Sequence, residues 1–373
     1  MDPTAVFCPN LACPARGHIG QGNIGIHSRK DKRFLCTACH KMFSATQGTV
    51  FYRLRTSAET VVIVVTLLAH GCPVQAIVAA LGFDERTVAD WWARSERQGQ
   101  AVQEYLVELP RALGHVQAAE IRVKQQGGIV WMALAMMVRT RLWLGGEVSE
   151  QRDMPMIRRL LERVRRCAAR RPQLVCPDGL VSSNRALRET LRAPVHTGTG
   201  GRPRLRPWRH VLIAQVVKRS ERRWVVETAR CMIEGTPARV ETLRRRSQGD
   251  GFIKTAYMER LNAPFRERLA PLARCCRALA RRTLTWQHGR YLISTVYNFC
   301  TPHASLRLAM PGAGMRCVQQ TPAMAAGITD HGWSVQELLS YHVPPPCWTP
   351  PKPRGRPSHA LKRLIERWCG DHG

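Results

Sequence analysis

Acidic side chains are scarce in this chain. Its 373 residues carry 27 Asp and Glu against 57 Lys and Arg, a formal charge of +30. An excess that large opposes compaction unless a polyanion neutralises it. Nucleic acid is the expected partner, because each neutralised phosphate releases counterions and adds affinity. A membrane surface is the competing polyanion. Long apolar runs are also lacking. "VVIVVTLLA", Val61 to Ala69, comes nearest. It falls short of the roughly 18 residues that a spanning helix needs, so it reads as a core helix and no membrane insertion is expected. A basic-then-apolar opening is missing as well. Met1 is followed by Asp2 and Pro3, and no signal peptide is expected. A reducing, cytoplasmic compartment follows, in which most of the 14 cysteines are free thiols or metal ligands. The length allows two or three domains and a real core.

Four of the cysteines lie in "FCPNLACPARGHIGQGNIGIHSRKDKRFLCTACHKMFS". Cys8 and Cys13 form one pair, Cys36 and Cys39 a second, with glycine-rich turns and short polar strands between them. Two such knuckles supply the four thiolates that tetrahedral Zn²⁺ prefers. A segment of this size has little hydrophobic core, so the metal would supply its folding energy. The expectation is a zinc ribbon over residues 1–50, with structural zinc on Cys8, Cys13, Cys36 and Cys39. The C-x₄-C spacing is looser than the usual C-x₂-C. His18, His27 and His40 are alternative ligands, more simply read as solvated loop histidines.

Residues 51–113 read as an all-α helix-turn-helix domain. Ser57 caps a helix running to about His70, and Pro73 opens a second over "PVQAIVAAL". After the turn "LGF", Asp84 caps a third helix, Glu85 to Arg97, with Val88, Trp91 and Trp92 on its apolar face. In this arrangement the third helix enters the major groove of DNA, and Arg86, Thr87, Asp90 and Arg94 face outward. A three-helix bundle used only for packing is the simpler alternative. Gln98 to Gly114 reads as a polar linker.

The main domain, 114–310, begins with "HVQAAEIRVK", "GGIVWMALAMMV" and "TRLWLGGEVS", which read as a three-stranded meander. "MIRRLLERVRRCAARR" is an amphipathic helix with Ile157, Leu160, Leu161 and Val164 inward. "QLVCPDGL" is a buried strand ending in Asp178-Gly179, and "SNRALRETLR" is a further helix. "HVLIAQVVKR" and "RRWVVETARCMI" read as a hairpin. It lies within a stretch, 200–290, that holds 22 Lys and Arg against 7 Asp and Glu. A long helix from about Ala256 to Arg282 carries Glu259. Leu261, Phe265, Leu269, Leu272, Cys276 and Leu279 line its apolar face, with Arg266, Arg274, Arg277 and Arg281 opposite. Three strands, a helix, a strand ending in Asp and a distant Glu on a helix is the order of a ribonuclease H-like fold. The expected class is therefore α/β, a ribonuclease H-like mixed sheet with flanking helices, preceded by the ribbon and the helix-turn-helix.

Five pieces, "CTACHKMFS", "VCPDGL", "TAYMERLNAPFRERL", "VYNFCTPHASL" and "TPAMAAGITDH", carry a resemblance. From Cys8 to about Trp333 the chain resembles the transposases of short bacterial insertion sequences, in which a zinc ribbon, a helix-turn-helix and a DDE domain share one reading frame. Glu259, Arg260 and Asn262 match the family's E-R-x-N setting. The resemblance implies Mg²⁺-dependent strand cleavage and transfer. Two Mg²⁺ ions would be held by carboxylates, with Asp178 in the second acidic position and Glu259 in the third. Taken singly, Asp178-Gly179 reads as a turn and Glu259 as a helix-start acid. It further implies double-stranded DNA carrying the element's terminal repeats as partner, a homo-oligomer on that DNA, and a place in the bacterial nucleoid. Family members read V-Q-A-D-E in the first strand, where this chain has Val116, Gln117, Ala118, Ala119 and Glu120. Ala119 thus stands where the first metal-bridging Asp is expected. Glu120 is no easy replacement, since neighbouring strand residues point to opposite faces. The expected function is that of a DNA transposase whose activity is in doubt in this copy. The alternative is a catalytically dead DNA-binding remnant, or a repressor derived from such a transposase.

Residues 311–373 form a basic, proline-rich tail, expected to lack fixed structure apart from a short helix over "HALKRLIERW". Within it "PRGRP", Pro353 to Pro357, resembles the core of an AT-hook, which would place Arg354 and Arg356 in a narrow minor groove.

Overall fold

The computed structural model describes the chain except for residues 1, 126–127, 170–172, 178–180, 196–202, 209, 222–223, 250, 255, 269–282, 310–316, 351–354 and 370–373. It divides into two compact units, Met1–Ala58 together with Leu339–Gly373, and Glu59–Leu338.

The first unit holds a three-stranded antiparallel sheet, β1 (Ile24–Ser28), β2 (Arg33–Cys36) and β3 (Met42–Ser44). Phe34 lies opposite Phe43 across β2 and β3, with ring centroids 5.6 Å apart. Both share a small buried cluster with Ile24, Cys8, Cys13, Cys36 and Trp368. Composition argues against a structured tail, but much of this one packs. Its residues make backbone and side-chain hydrogen bonds to the amino-terminal segment, and Ser358 caps a final helix over His359–Trp368 by accepting from the Leu361 amide at 3.2 Å.

The second unit opens with three helices, α1 (Ala58–Ala69), α2 (Val74–Leu81) and α3 (Glu85–Val102). Gly82 ends α2 at φ 70°, a left-handed turn that suits glycine, and the Asp84 carboxylate caps α3 through the Arg86 amide at 2.8 Å. The polar stretch after Arg97 does not act as a linker. It continues α3, burying Gln98, Gly99 and Val102. Gln98 donates to the Leu338 carbonyl at 3.4 Å and Gln103 to that of Leu144 at 3.2 Å, so both amides are satisfied inside the unit.

A six-stranded mixed sheet follows. Its strands are β4 (His115–Gln125), β5 (Gly128–Met137), β6 (Trp143–Ser149), β7 (Gln173–Pro177), β10 (Val211–Glu221) and β11 (Trp224–Glu234). They lie in the order β11-β10-β7-β4-β5-β6, beside a separate pair, β8 (Arg192–Val195) and β9 (Arg204–Pro207). The meander is antiparallel, β4 and β10 each pair with β7 in parallel, and β11 closes the edge antiparallel to β10. β5 is buried without a break from Met132 to Met137, the pattern of a strand covered on both faces. Helix α4 (Met154–Cys167) buries Met156, Ile157, Leu160, Leu161, Val164 and Cys167, as its periodicity requires. Helices α5 (Val181–Thr190), α6 (Pro237–Gln248), α7 (Ala256–Arg268) and α8 (Thr283–Thr295) complete the layers, and two short helices follow, α9 (Pro322–Ala325) and α10 (Val335–Ser340). The helix expected to run from Ala256 to Arg282 is described only to Arg268; its later positions, Leu269 to Arg281 among them, lie outside the described residues. α3 packs closely on α8, where a Cβ added at Gly99 would meet the Tyr291 carbonyl at 3.0 Å. No helix among the described residues is long and apolar enough to cross a membrane.

Candidate functional site

The four cysteines named from their spacing meet at one point. Cys8, Cys13 and Cys36 are buried, and one sulfur from each, with that of Cys39, lies within 4.8 Å of all the others. Cys8 Sγ is 3.7 Å from Cys39 Sγ, and Cys13 Sγ 3.8 Å from Cys36 Sγ. Those separations match the edge of a tetrahedron with arms of about 2.3 Å, the zinc–sulfur distance. Local turns set the geometry. The Cys13 amide donates to the Asn10 carbonyl at 2.9 Å and the His40 amide to the Cys36 carbonyl at 2.8 Å, and His40 takes φ 53° to turn the chain after Cys39.

The thiols sit in unlike environments. Burial drives the Cys8 thiol well up, and the Cys13 thiol to about 12. Burial also acts on Cys39, but hydrogen bonds from the Asn10 side chain, the Lys41 amide and the thiols of Cys13 and Cys8 bring it down to about 7. Cys39 is thus the most readily ionised of these three thiols, and burial opposes ionisation of Cys8 and Cys13. The donor set and its spacing fit a structural metal such as zinc, which would contribute folding free energy to a sheet with few apolar residues. His18, His27 and His40 do not belong to this group, and among the described residues no second cluster of His, Cys, Asp and Glu converges in this way.

The other expected centre looks different. On β4, Gln117, Ala119 and Ile121 share one face. Gln117 donates to the Lys254 carbonyl at 2.6 Å. Ala119 and Ile121 pack in the cluster that holds Met258, Leu261 and Phe265 of α7. Glu120 points to the opposite face, where its Oε2 takes a 2.6 Å ion pair from Arg152, whose guanidinium lies 4.9 Å from the Trp131 ring. Glu259 stands in the first turn of α7 and is exposed, beside buried Met258. Asn262 is buried, and its Oδ1 has no hydrogen-bond partner. The β4–β7 ladder is described to Ala118 opposite Pro177, and Asp178 lies outside the described residues. Magnesium requires several hard oxygen ligands. At Ala119 the strand supplies a methyl group packed in an apolar cluster and no such ligand.

Of the residues expected to meet DNA, Arg86 is exposed at the start of α3 and Thr87 half-buried beside it. Arg94 is tied to Asp90 at 2.7 Å. Arg266 is half-buried on α7, Arg356 is exposed, and Arg354 lies outside the described residues. Sequence reasoning missed Trp368 as part of the cysteine cluster and Arg152 as the partner of Glu120. Neither carries a local signal, because each contact spans a long stretch of chain. No protein-family profile matches the chain, and a comparison with curated proteins finds no match either.

Proposed function

We propose that the chain is a DNA-binding protein on the transposase plan, with a strand-cutting centre disabled at Ala119. The amino-terminal sheet is read as a zinc ribbon, and α2 and α3 as a helix-turn-helix whose Arg86 and Thr87 face the major groove. The sheet order, an antiparallel meander beside the parallel strands β4, β7 and β10, supports a ribonuclease H-like core. The observation that carries the reading is the placement of Ala119. It occupies the face of β4 turned toward α7, the helix of Glu259, and packs there against apolar side chains. The next carboxylate along the strand, Glu120, is held on the other face by Arg152. The ribbon, the helix-turn-helix and the positive charge remain to hold DNA, which favours a binding role, that of a remnant or a repressor, over cutting.

A single experiment separates the two roles. Wild type, Ala119→Asp, and Ala119→Asp with Glu259→Gln are compared on duplex DNA carrying the element's own ends, with Mg²⁺ or Mn²⁺ present, for binding and for cleavage. All three are expected to bind, with a log–log salt slope of roughly −5 or steeper if six or more phosphates are neutralised. Cleavage is expected from Ala119→Asp alone. Robust cutting by the wild type would overturn the disabled-centre reading, and binding indifferent to salt would overturn the DNA reading as a whole.

A further inference from the structure

Described residues between Leu339 and Cys369 pack on the segment that carries the cysteines. The Val50 amide donates to the Leu339 carbonyl at 3.2 Å. His342 Nε2 lies 3.0 Å from the Ala45 carbonyl, and its ring meets Phe7 edge-on at 6.3 Å. Arg16, three residues past Cys13, donates through Nε to the Pro346 carbonyl at 2.7 Å and through Nη2 to that of Cys347 at 3.0 Å. Gly17, at φ 75°, leaves room for the strap: a Cβ there would stand 2.8 Å from the Pro345 carbonyl. The segment then returns. Cys369 Sγ sits 3.5 Å from the Trp348 carbonyl, and Trp368, with 7 % of its surface exposed, is buried in one cluster with Cys8, Cys13 and Cys36. Its ring lies 5.5 Å from that of His18.

We infer that this segment is the lid of the metal centre, with Trp368 as the plug that keeps water and competing ligands from the sulfurs. The inference rests on reading the four cysteines as a metal site. A thiolate-bound ion leaves when a proton or a foreign ligand reaches a sulfur, so release is governed by access to the buried pairs as well as by the bonds themselves. Without the strap and Trp368, part of the wall around Cys8, Cys13 and Cys36 would become solvent. The residues that supply this wall lie more than 300 positions from the cysteines they cover, so the last helix belongs functionally to the metal site.

The test measures the metal directly. Full-length protein is purified with zinc, its zinc content is fixed by elemental analysis, and release to a chromogenic chelator is followed in time. Trp368→Ala removes the plug. Gly17→Ala pushes the strap away from the other side. Gly22→Ala is the control, because Gly22 has a similar φ of 65° but nothing within 4 Å of an added Cβ, so it shares the backbone strain and not the collision. Wild type is expected to hold one zinc per chain and release it slowly. Trp368→Ala and Gly17→Ala should release it roughly 10- to 100-fold faster, by analogy with the affinity lost when an outer-shell partner of a metal site is removed. Trp368→Phe should recover most of the slow rate, and Gly22→Ala should stay near wild type. Wild-type rates in both lid variants would overturn the inference, as would a Gly22→Ala rate equal to that of Gly17→Ala. A wild-type protein with no zinc would instead overturn the four-cysteine reading, which the elemental analysis reveals before any chelator is added.

Discussion

In the amino-terminal sheet, four sulfurs from two distant turns converge within 4.8 Å of one another, and three of these cysteines share a buried cluster with a tryptophan. On β4 the residues facing α7 are Gln117, Ala119 and Ile121, set against Met258 and Leu261. The first arrangement makes little sense without a cation, since it concentrates thiols where burial opposes their ionisation. The second carries no charge at position 119, where a methyl group sits in apolar contact. A small fold that depends on a ligand must keep every donor, because losing one removes the fold with the site. A large sheet with its own core can lose a functional carboxylate and remain folded. That asymmetry accounts, on the proposed reading, for a cluster that keeps its four sulfurs in a chain whose first strand carries Ala119 in place of a carboxylate.

The largest effect should come from breaking the first centre. Cys36→Ser removes one of four thiolates from a site whose metal is worth about 10–16 kcal/mol in comparable small domains. Zinc content is expected to fall from near one to near zero per chain, with loss of ordered structure in the first unit and retention of it in the second. Elemental analysis and amide exchange, resolved by segment, check both halves. Unchanged zinc would reject the cluster as the metal site.

The next effect belongs to the second unit. Burial, assisted by the nearby Arg141 cation, lowers the His115 imidazole to about 3, against an ordinary value near 6.5. Its Nδ1 lies 2.9 Å from the Ser247 hydroxyl. The folded chain therefore holds this ring neutral while the unfolded chain takes up a proton below about 6.5, so stability is full above that value and is lost as pH falls. Between pH 7 and pH 5 the loss should be about 2 kcal/mol. Denaturant midpoints for the second unit, followed by segment-resolved amide exchange across that range, are expected to drop more steeply for wild type than for His115→Gln. Equal slopes in the two proteins would show that another group is responsible.

The smallest effect is expected at Glu120. Arg152, its partner, is 36 % exposed at the side chain, and partly solvated pairs contribute about 1 kcal/mol or less. Glu120→Gln should shift the unfolding midpoint slightly and leave DNA affinity unchanged. If instead it abolished cleavage in the Ala119→Asp background, Glu120 would be a metal ligand after all, and the contrast between the two centres would narrow.

Much of this architecture was legible beforehand, for reasons that differ by element. The cysteine spacing identified the sulfur cluster because turn-borne pairs are a local signal. The meander, α4 and the β10–β11 hairpin followed from period 2 and period 3.6 patterns in apolar residues. The end of α3 beyond Arg97 was not legible, because Gln98 begins a stretch that reads as a polar linker, yet Gln98, Gly99 and Val102 are buried, as are Ser95 and Glu96 just before them. Burial there holds the Glu96 carboxyl well above the usual range, although Trp92 donates to it at 2.7 Å. α6 was missed because it buries only Val240 and Arg244, too little for an apolar stripe. The docking of Trp368 was invisible for a third reason: the tail is proline-rich and basic, and the contact that orders it lies at the opposite end of the chain.

That last contact has a consequence for biosynthesis. A ribosome completes residues 59–338, all that the second unit requires, before it has made Trp368. Cys8, Cys13 and Cys36 are made more than 300 residues ahead of the tryptophan that shares their buried cluster. Packing of the first unit therefore cannot finish until position 368 has been added, whereas the second unit already has all of its residues by then.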